Sequence, residues 1–256
     1  MTLRVTTAMT QPRLFNTAKF IAACAVFTWT SSVLAQQTSC TAQSAATLTP
    51  VIELYTSEGC SSCPPADQWL STLKSAHAKG QVVAQAFHVN YWDYIGWKDP
   101  FAAPQYTARQ RQISSASRLD GIYTPQLAKN GLTVRDYVRP SASTLPALAQ
   151  IALSQTAKDS FDAAITPVDD KTQWSAYYTI TEHAHVSRVT AGENKGETLA
   201  HDFVVRQYVQ LGNYSGAQKL KINALPGNDK NPRQINVVVT EAKTGKALQA
   251  LSASGC

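Results

Sequence analysis

The sequence is organised around one stretch, VIELYTSEGCSSCPPAD, residues 51–67. An apolar run of strand-forming residues comes first, a glycine-containing turn follows, and two serines then separate Cys60 from Cys63. Residues on one helical face come next: Ala66, Trp69, Leu70, Leu73 and His77. The spacing of the cysteines allows their sulfurs to reach disulfide distance. A helix start beside them supplies unpaired N–H groups and partial positive charge, which favour a thiolate.

A Cys-x-x-Cys pair has three interpretations. A strand, a turn, the cysteine pair and a helix, in that order, are typical of a thioredoxin-like redox site. The pair is also compatible with a structural disulfide or with part of a metal site. Because neither a second Cys-x-x-Cys nor a His-x3-5-His pair follows, a structural zinc site lacks ligands.

Glu53 interrupts the otherwise apolar strand predicted over residues 51–56. Two placements are open. The carboxylate either lies on an exposed face, or is buried below the cysteines with a raised pKa and takes the proton from the resolving thiol.

The amino-terminal residues 1–35 are predicted to be a secretory signal peptide. They contain Arg4, Arg13 and Lys19 without an acidic residue, followed by a short apolar stretch and a small-residue end at Ala35, the expected cleavage point. The alternative is a lipid anchor at Cys24. Cleavage would remove three of the 23 basic residues against 17 acidic ones, so the net charge falls from +6 to about +3. We expect a periplasmic or secreted protein with no membrane span and no nucleic-acid partner.

Export places the remaining cysteines in an oxidising compartment. Cys60 and Cys63 form one plausible disulfide, and Cys40 and Cys256 form the other, which would join the ends of the mature chain. Closing so long a loop contributes about 5 kcal/mol in the loop-entropy description. The alternative is that Cys40 and Cys256 stay unpaired on frayed ends.

An aromatic segment, residues 91–101, follows the strand predicted over residues 81–89. In open α/β sheets, ligands bind beyond the carboxyl ends of the strands, so Tyr91, Trp92 and Trp97 are candidate contacts for an extended peptide or an apolar ligand. The alternative is a long loop packed by its own aromatic rings. His88 and Asp93 are candidates for acid–base or metal chemistry, and the alternative is that His88 is an ordinary core histidine.

The remaining pattern predicts two modules. Helices are expected over residues 104–118 and 141–156, and the Asn130-Gly131 turn predicts a hairpin. The order βαβαββα over residues 50–157 predicts a thioredoxin-like α/β domain after a linker at 36–49. Short strand-like segments then predict a β-rich, sandwich-like module over 158–256, with one hairpin at Asn194-Lys195-Gly196.

Three histidines of this β-rich region form a candidate metal trio. His183 and His185 are two apart on a strand, and His201 lies across the predicted hairpin. Such a trio suits copper or zinc. The alternative is a solvated strand face.

The sequence resembles the secreted bacterial proteins of the domain-of-unknown-function 1223 type, which belong to the thioredoxin-like superfamily. The resemblance covers about residues 50–216 and rests on six segments: 53–67, 87–101, 107–111, 124–126, 192–194 and 204–206. It implies that Cys60 attacks and Cys63 resolves, that Thr124 and a cis Pro125 line the substrate groove, and that Glu53 assists proton transfer. The Ser-Ser dipeptide replaces the Gly-Pro of thioredoxin between the cysteines.

These observations predict an exported thiol–disulfide oxidoreductase that acts on protein thiols or disulfides, without a cofactor or a resident metal. One alternative is a copper or other metal carrier that uses the same cysteines with His88. Another is a binding module in which the cysteine pair is a structural disulfide. The oligomeric state stays open.

Overall fold

The computed structural model describes residues 2–3, 6–11, 40–137 and 142–255. The chain forms two compact units, residues 1–37 and 38–256. The described residues of the first unit contain no helix or strand, and most of the predicted signal peptide lies outside the described ranges. Of the helices in the described ranges, none is long and apolar enough to cross a lipid bilayer.

The second unit contains three helices and fourteen strands among its described residues. The helices are α1 (Pro64–Ser71), α2 (Lys74–Ala78) and α3 (Pro104–Ala116), and a 3-10 helix spans Asn90–Ile95. The strands are β1 (Thr41–Gln43), β2 (Val51–Thr56), β3 (Val83–His88), β4 (Gln126–Lys129), β5 (Leu132–Val134), β6 (Ala149–Ala157), β7 (Ser160–Pro167), β8 (Trp174–Glu182), β9 (His185–Arg188), β10 (Thr198–His201), β11 (Val204–Tyr214), β12 (Gln218–Asn223), β13 (Arg233–Glu241) and β14 (Ala247–Ser254).

The largest sheet has eight strands in the order β14-β13-β8-β11-β3-β2-β4-β5. β3 runs parallel to both β2 and β11, and the other neighbours are antiparallel. Every residue of β2 and β3 is buried. This burial explains the nearly continuous apolar character of β2, since both faces of these strands are covered.

Helices cover both faces of the sheet around β2. Ile52 and Leu54 pack with Leu70 of α1 on one face. Tyr55 packs with Ile113 of α3 on the other face, because successive side chains of a strand point to opposite sides. Helix α1, with Cys63 at its start, therefore lies on the sheet face to which Ile52 and Leu54 point.

A second sheet, in the order β1-β6-β7-β12, packs on the other half of the large sheet. Its inward residues, including Phe161 and Ile165, share one core with Trp174 of β8 and Val237 of β13. Two sheets therefore pack face to face in this half, but β1 and β6 lie outside the range 158–256 predicted for a β-rich module. Strand β1 lies in the segment 36–49 that we expected to be a linker.

The helix predicted over residues 141–156 is wrong. Residues 149–157 form β6, which pairs antiparallel with β7 and β1. Burial alternates along β6, with Ala149, Ile151 and Leu153 facing the core, whereas Leu145 and Leu148 are exposed. The spacing of the apolar residues fits both the helical period of 3.6 and the strand period of 2. Pairing with β1 and β7 selects the strand.

Both hairpins predicted from turn residues are confirmed. Asn130 and Gly131 join β4 to β5 with positive φ angles of 52° and 88°. A Cβ at Gly131 would lie 2.2 Å from the carbonyl oxygen of Gly245, so this position needs glycine for space as well as conformation. Residues 189–197 join β9 to β10 in the second hairpin.

The large sheet contains strands from both sides of residue 157. Val204 of β11 pairs with Ala86 of β3, which joins the later strands directly to the cysteine-bearing half. The protein is thus a mixed α/β structure dominated by sheets, and its final predicted helix is replaced by a strand.

Candidate redox site and the polar cluster beneath it

Cys60 and Cys63 form a disulfide at the start of α1, with Cα atoms 5.4 Å apart. Cys63 is the N-cap residue, and Pro64 occupies the first helical position, where a missing N–H removes no hydrogen bond. The relative exposure of the two residues is 1% and 0%. The serines between them are exposed, so the turn presents hydroxyl groups to solvent and keeps both sulfurs below the surface.

The hairpin segment 189–197, here called the cover loop, lies over this turn. Asn194 donates its Nδ2 hydrogens to the carbonyl oxygens of Glu58 and Cys60, at 2.8 and 3.1 Å. Glu193 accepts a hydrogen bond of 2.9 Å from the backbone N–H of Ser61, which holds the pKa of Glu193 below its usual value. The cover loop thus satisfies backbone groups of the cysteine turn.

A buried polar cluster lies beneath the turn. Glu58 is fully buried and accepts hydrogen bonds from Trp97 Nε1 at 2.8 Å and from His201 Nε2 at 3.1 Å. Its backbone N–H donates to Asp99 Oδ2 at 2.9 Å. These bonds connect the turn to the aromatic segment and to the end of β10.

Asp99 and His88 form the second pair of this cluster, with 2.7 Å between Asp99 Oδ2 and His88 Nδ1. Burial disfavours charge on His88, but the adjacent Asp99 outweighs it and raises the pKa of the imidazole. Burial likewise raises the pKa of Asp99, but His88 and two backbone N–H groups bring it below its usual value. The sequence left open whether His88 is an ordinary core histidine, and the structure gives it a carboxylate partner.

Asp67 completes the cluster from α1. Its Oδ2 accepts a 2.8 Å hydrogen bond from Thr56, the last residue of β2. Burial raises the pKa of Asp67, and the nearby His201 and His88 oppose this effect without cancelling it. Asp67 lies four residues after Cys63, a spacing that places both side chains on one helical face.

Glu53 lies on the sheet face opposite α1. It binds Arg109 Nη2 at 2.9 Å and accepts hydrogen bonds from the hydroxyls of Tyr55 and Tyr177 at 2.6 and 2.5 Å. Burial alone would raise its pKa, but the Arg109 cation and these hydrogen bonds outweigh burial and lower it. The carboxylate is buried, as one alternative expected, but the raised pKa of that alternative is wrong.

Three of the predicted substrate residues, Trp92, Thr124 and Pro125, lie next to one another. Trp92 donates its indole N–H to Thr124 Oγ1 at 2.8 Å, and Trp92 also borders Gly59 of the cysteine turn. The Thr124-Pro125 peptide bond is cis. Pro125 lines a cavity of about 210 Å³ together with five apolar or aromatic residues and Arg135: Leu54, Tyr123, Leu127, Val134 and Tyr137.

The aromatic segment packs largely on itself and on the protein. Tyr91 lies on α3 and beside Trp92, at 6.5 Å between ring centroids, and Trp97 is bonded to Glu58. Tyr94, in contrast, is 82% exposed. The segment therefore combines the two alternatives that the sequence left open, with internal packing at most positions and one exposed ring.

The structure divides the three histidines of the β-rich region between two environments. His201 and His185 are directly opposite in the β9–β10 pair, and both rings contact Phe101. His183 binds Asp202 and Gln234. His183 and His201 are also buried, so a solvated strand face is wrong for them.

The second predicted disulfide reaches Cys256, which lies outside the described residues. The pairing of Cys40 with Cys256 therefore stays a prediction.

The family model described as "Protein of unknown function (DUF1223)" matches residues 51–240. The chain belongs to this family. The match spans the cysteine turn, the aromatic segment and the cover loop of this DUF1223 protein. The comparison with curated proteins returns no significant match.

The DUF1223 chain is also similar to the crystal structure of protein AGR_C_4864 from Agrobacterium tumefaciens. The TM-score is 0.60 at 23% sequence identity, over 83% of this chain and 97% of that chain. At this identity the similarity concerns the fold alone.

Sequence reasoning missed the roles of three acidic residues and one asparagine in the DUF1223 site. Glu58 and Asp67 fall in segment 53–67, Asp99 falls in segment 87–101, and Asn194 falls in segment 192–194, which are three of the six segments that carry the resemblance. The sequence feature that could have indicated the acidic residues is their position beside the cysteines or within the aromatic segment. The interpretation of those motifs centred on the cysteines and the rings instead.

Proposed function

We propose that the protein is an exported thiol–disulfide oxidoreductase that exchanges the Cys60–Cys63 disulfide with thiols or disulfides of partner proteins. One observation carries the proposal: a disulfide closed over two residues at the N-cap of a helix, directly after a buried parallel strand. A helix N-terminus stabilises a thiolate through the partial positive charge of its dipole. In α1 this contribution comes from the helix dipole alone, because Pro64 and Pro65 have no N–H and the N–H groups of Ala66 and Asp67 bond the carbonyl oxygen of Cys63.

The strand arrangement around the pair supports a thioredoxin-like core. Strands β3, β2, β4 and β5 are neighbours in that order, with β4 antiparallel to β2 and helices on both faces. Pro125 immediately precedes β4, next to the strand that leads into Cys60. The core we propose differs from the expected βαβαββα order because a strand replaces its last helix.

The exchange proceeds in two sulfur-transfer steps. A partner thiolate attacks Cys60 Sγ, a new S–S bond forms, and the electron pair of the Cys60–Cys63 bond leaves on Cys63 as a thiolate. A second partner thiolate then attacks the partner sulfur of this mixed disulfide and releases Cys60 as a thiolate. The partner is oxidised to a disulfide, and the cysteine pair gains two electrons. The reverse sequence reduces a partner disulfide.

Access to the buried sulfurs requires a local opening, and we propose that the cover loop is the segment that moves. Both cysteines are almost fully buried, and Asn194 bonds the backbone of Cys60. A partner segment that replaced Asn194 would satisfy the same carbonyl groups, and the cavity beside Pro125 offers apolar contacts to its side chains. Tyr123, which borders this cavity, is 46% exposed and available to such a segment.

A second candidate function rests on the same burial. A disulfide with relative exposures of 1% and 0% also fits a structural role in a binding protein. The two functions differ in the reduction potential. A structural disulfide has a potential below about −300 mV, whereas thioredoxin and stronger oxidants lie at about −270 mV and above.

The test is a thiol-trapping titration of the metal-free mature chain in glutathione and dithiothreitol buffers. We expect reversible exchange, with a potential of the Cys60–Cys63 pair at or above about −270 mV. The Cys63→Ser variant should accumulate a mixed disulfide through Cys60, and the Cys60→Ser variant is the matched control that should not. A pair that resists reduction, with sulfurs that never react in either variant, would refute the catalytic function and leave the structural one.

Export is tested separately by the mature amino terminus. We expect the secreted or periplasmic form to begin after Ala35, the end of the predicted signal peptide. Amino-terminal sequencing of the exported protein decides this. A form that retains residues 1–35 in the cytoplasm would contradict export.

A further inference from the structure

Three buried side chains from distant parts of the chain converge beneath the cysteine turn. Asp67 comes from α1, His88 from the end of β3, and His201 from the end of β10. Each offers one ligand atom, and these atoms lie within 4.8 Å of one another. The relative exposures of the residues are 7%, 0% and 3%.

Each of the two histidines has one buried ring nitrogen that makes no hydrogen bond with the described residues. His88 Nε2 and His201 Nδ1 are buried without a hydrogen-bond partner among the described residues. A buried polar atom without a partner costs about 1–3 kcal/mol, so two of them in one place call for an explanation. A bound cation satisfies both lone pairs at once.

The second nitrogen of each ring is held by a carboxylate. His88 Nδ1 lies 2.7 Å from Asp99 Oδ2, and His201 Nε2 lies 3.1 Å from Glu58 Oε1. A carboxylate can only accept, so in the neutral rings these nitrogens carry the proton and the opposite nitrogens carry the lone pair. This is the outer-shell arrangement that orients histidines toward a metal ion.

The outer shell is itself fixed by the protein. Glu58 is held by Trp97 Nε1 at 2.8 Å, and Asp99 accepts from the backbone N–H groups of Glu58 and Phe101, both at 2.9 Å. Thr56 holds one oxygen of Asp67 and leaves the other available. Three carboxylates therefore surround two imidazoles, a charge balance that favours a cation.

We propose that Asp67, His88 and His201 form a binding site for a divalent first-row transition-metal ion. Two imidazole nitrogens and one carboxylate oxygen suit Zn²⁺ and its neighbours and leave a further coordination position open. Ligands at about 2.0–2.2 Å from a tetrahedral ion lie about 3.3–3.6 Å apart. The observed spacing of up to 4.8 Å therefore closes when the side chains approach one another by about 1 Å. The site uses no cysteine and is independent of the redox proposal.

The probe is Zn²⁺, with Co²⁺ as its spectroscopic substitute. Because the ligands are buried, the full mature chain is refolded with each ion, desalted, and analysed for metal per chain. We expect one Zn²⁺ per chain, a higher unfolding temperature than in chelator-treated protein, and a Co²⁺ d–d spectrum without thiolate-to-metal charge transfer.

Four variants assign the ligands. Asp67→Asn and His201→Gln should lower the affinity by at least the about 10- to 100-fold that loss of an outer-shell partner costs. His185→Gln, which replaces the histidine opposite His201, and the Cys60→Ser/Cys63→Ser double variant should bind Zn²⁺ as the wild type does.

Two results would overturn the proposal. One is folded wild-type protein that retains no stoichiometric Zn²⁺ or Co²⁺. The other is binding that disappears in the double cysteine variant and persists in Asp67→Asn, which would place the metal on the sulfurs. If the ligand variants fail to fold by circular dichroism, the wild-type stoichiometry and the Co²⁺ spectrum decide the question.

Discussion

Acid destabilisation through His77 follows directly from how this ring is buried. His77 lies on α2, is 5% exposed and packs edge-on against Phe203, with ring centroids 5.0 Å apart. Its Nδ1 accepts the backbone N–H of Ala84 at 3.3 Å, and its Nε2 lies 2.9 Å from Ser252 Oγ. The neutral ring with the proton on Nε2 satisfies both contacts, whereas a proton on Nδ1 breaks the first.

The size of the effect follows from the pKa of His77. Burial, and next the positive charge of His183, lower this pKa from 6.5 to about 4. Between these pH values the unfolded chain binds more protons at this site than the folded protein does, so the free energy of unfolding rises with pH. The contribution of the neutral His77 ring to the free energy of unfolding is fully present above pH 6.5 and is lost as the pH falls to about 4. A pKa difference of this size corresponds to about 3 kcal/mol.

Urea unfolding at pH 7 and at pH 4, followed by circular dichroism, measures this loss. His77→Gln should be less stable than the wild type at pH 7 but should lose about 3 kcal/mol less on acidification. Ser252→Ala is the matched control. It removes one hydrogen-bond partner, costs about 1 kcal/mol at both pH values, and keeps the acid-dependent loss. Equal losses in the wild type and in His77→Gln would refute the reasoning.

Three further substitutions test the fold. Gly131→Ala should destabilise the protein by at least about 1 kcal/mol more than Gly216→Ala in chemical denaturation. Both glycines have positive φ, but only at Gly131 would a Cβ meet a backbone oxygen, so equal costs would contradict the clash. Arg109→Met should lower the free energy of unfolding by about 3–5 kcal/mol in urea, because Glu53 stays buried without its cation. A cost below about 1 kcal/mol, which is typical of exposed ion pairs, would contradict this. Phe161→Ala should cost about 3–5 kcal/mol in the same assay, because the ring is fully buried between the two sheets, and a neutral result would place it outside the core.

Local pattern predicted many elements of this fold. The apolar run before the cysteines forms β2, the residues after Pro64 form α1, and the Asn130-Gly131 pair forms the expected turn. These features depend on near neighbours along the chain: side-chain periodicity, a fixed proline φ and an available positive φ. The helical pattern that runs from Ala66 to His77 is nevertheless divided into α1 and α2.

The error at residues 141–156 shows where local pattern is insufficient. Leu145, Leu148, Ile151 and Ala152 are spaced as on a helix, and the same segment also contains the alternation of Ala149, Ile151 and Leu153. Strands β1 and β7 lie on either side of β6 and supply its backbone hydrogen bonds. Such partners come from other parts of the chain, so periodicity within the segment could not choose between the two forms.

The site divides in the same way. The cysteine pair, its helix start and the proline before β4 are recognisable as short motifs, because each depends on a few consecutive residues. The surroundings of Glu53 could not be recognised in this way, because its partners Arg109 and Tyr177 lie 56 and 124 residues away along the chain. Strand alternation alone allowed either face.

The amino-acid sequence by itself determined the cysteine turn, the turn-forming residues and most of the strands, because these follow from side-chain period and backbone preference within a few residues. Only the tertiary structure decided that the cover loop closes over Cys60, and that Asp67, His88 and His201 meet beneath it. Pairing of β11 with β3 brings residues more than 100 positions apart into one sheet. That pairing brings His201, at the end of β10, beside His88 at the end of β3, whereas the other members of the polar cluster lie within residues 58–99. Attraction between such buried groups depends on their distance in space and on burial.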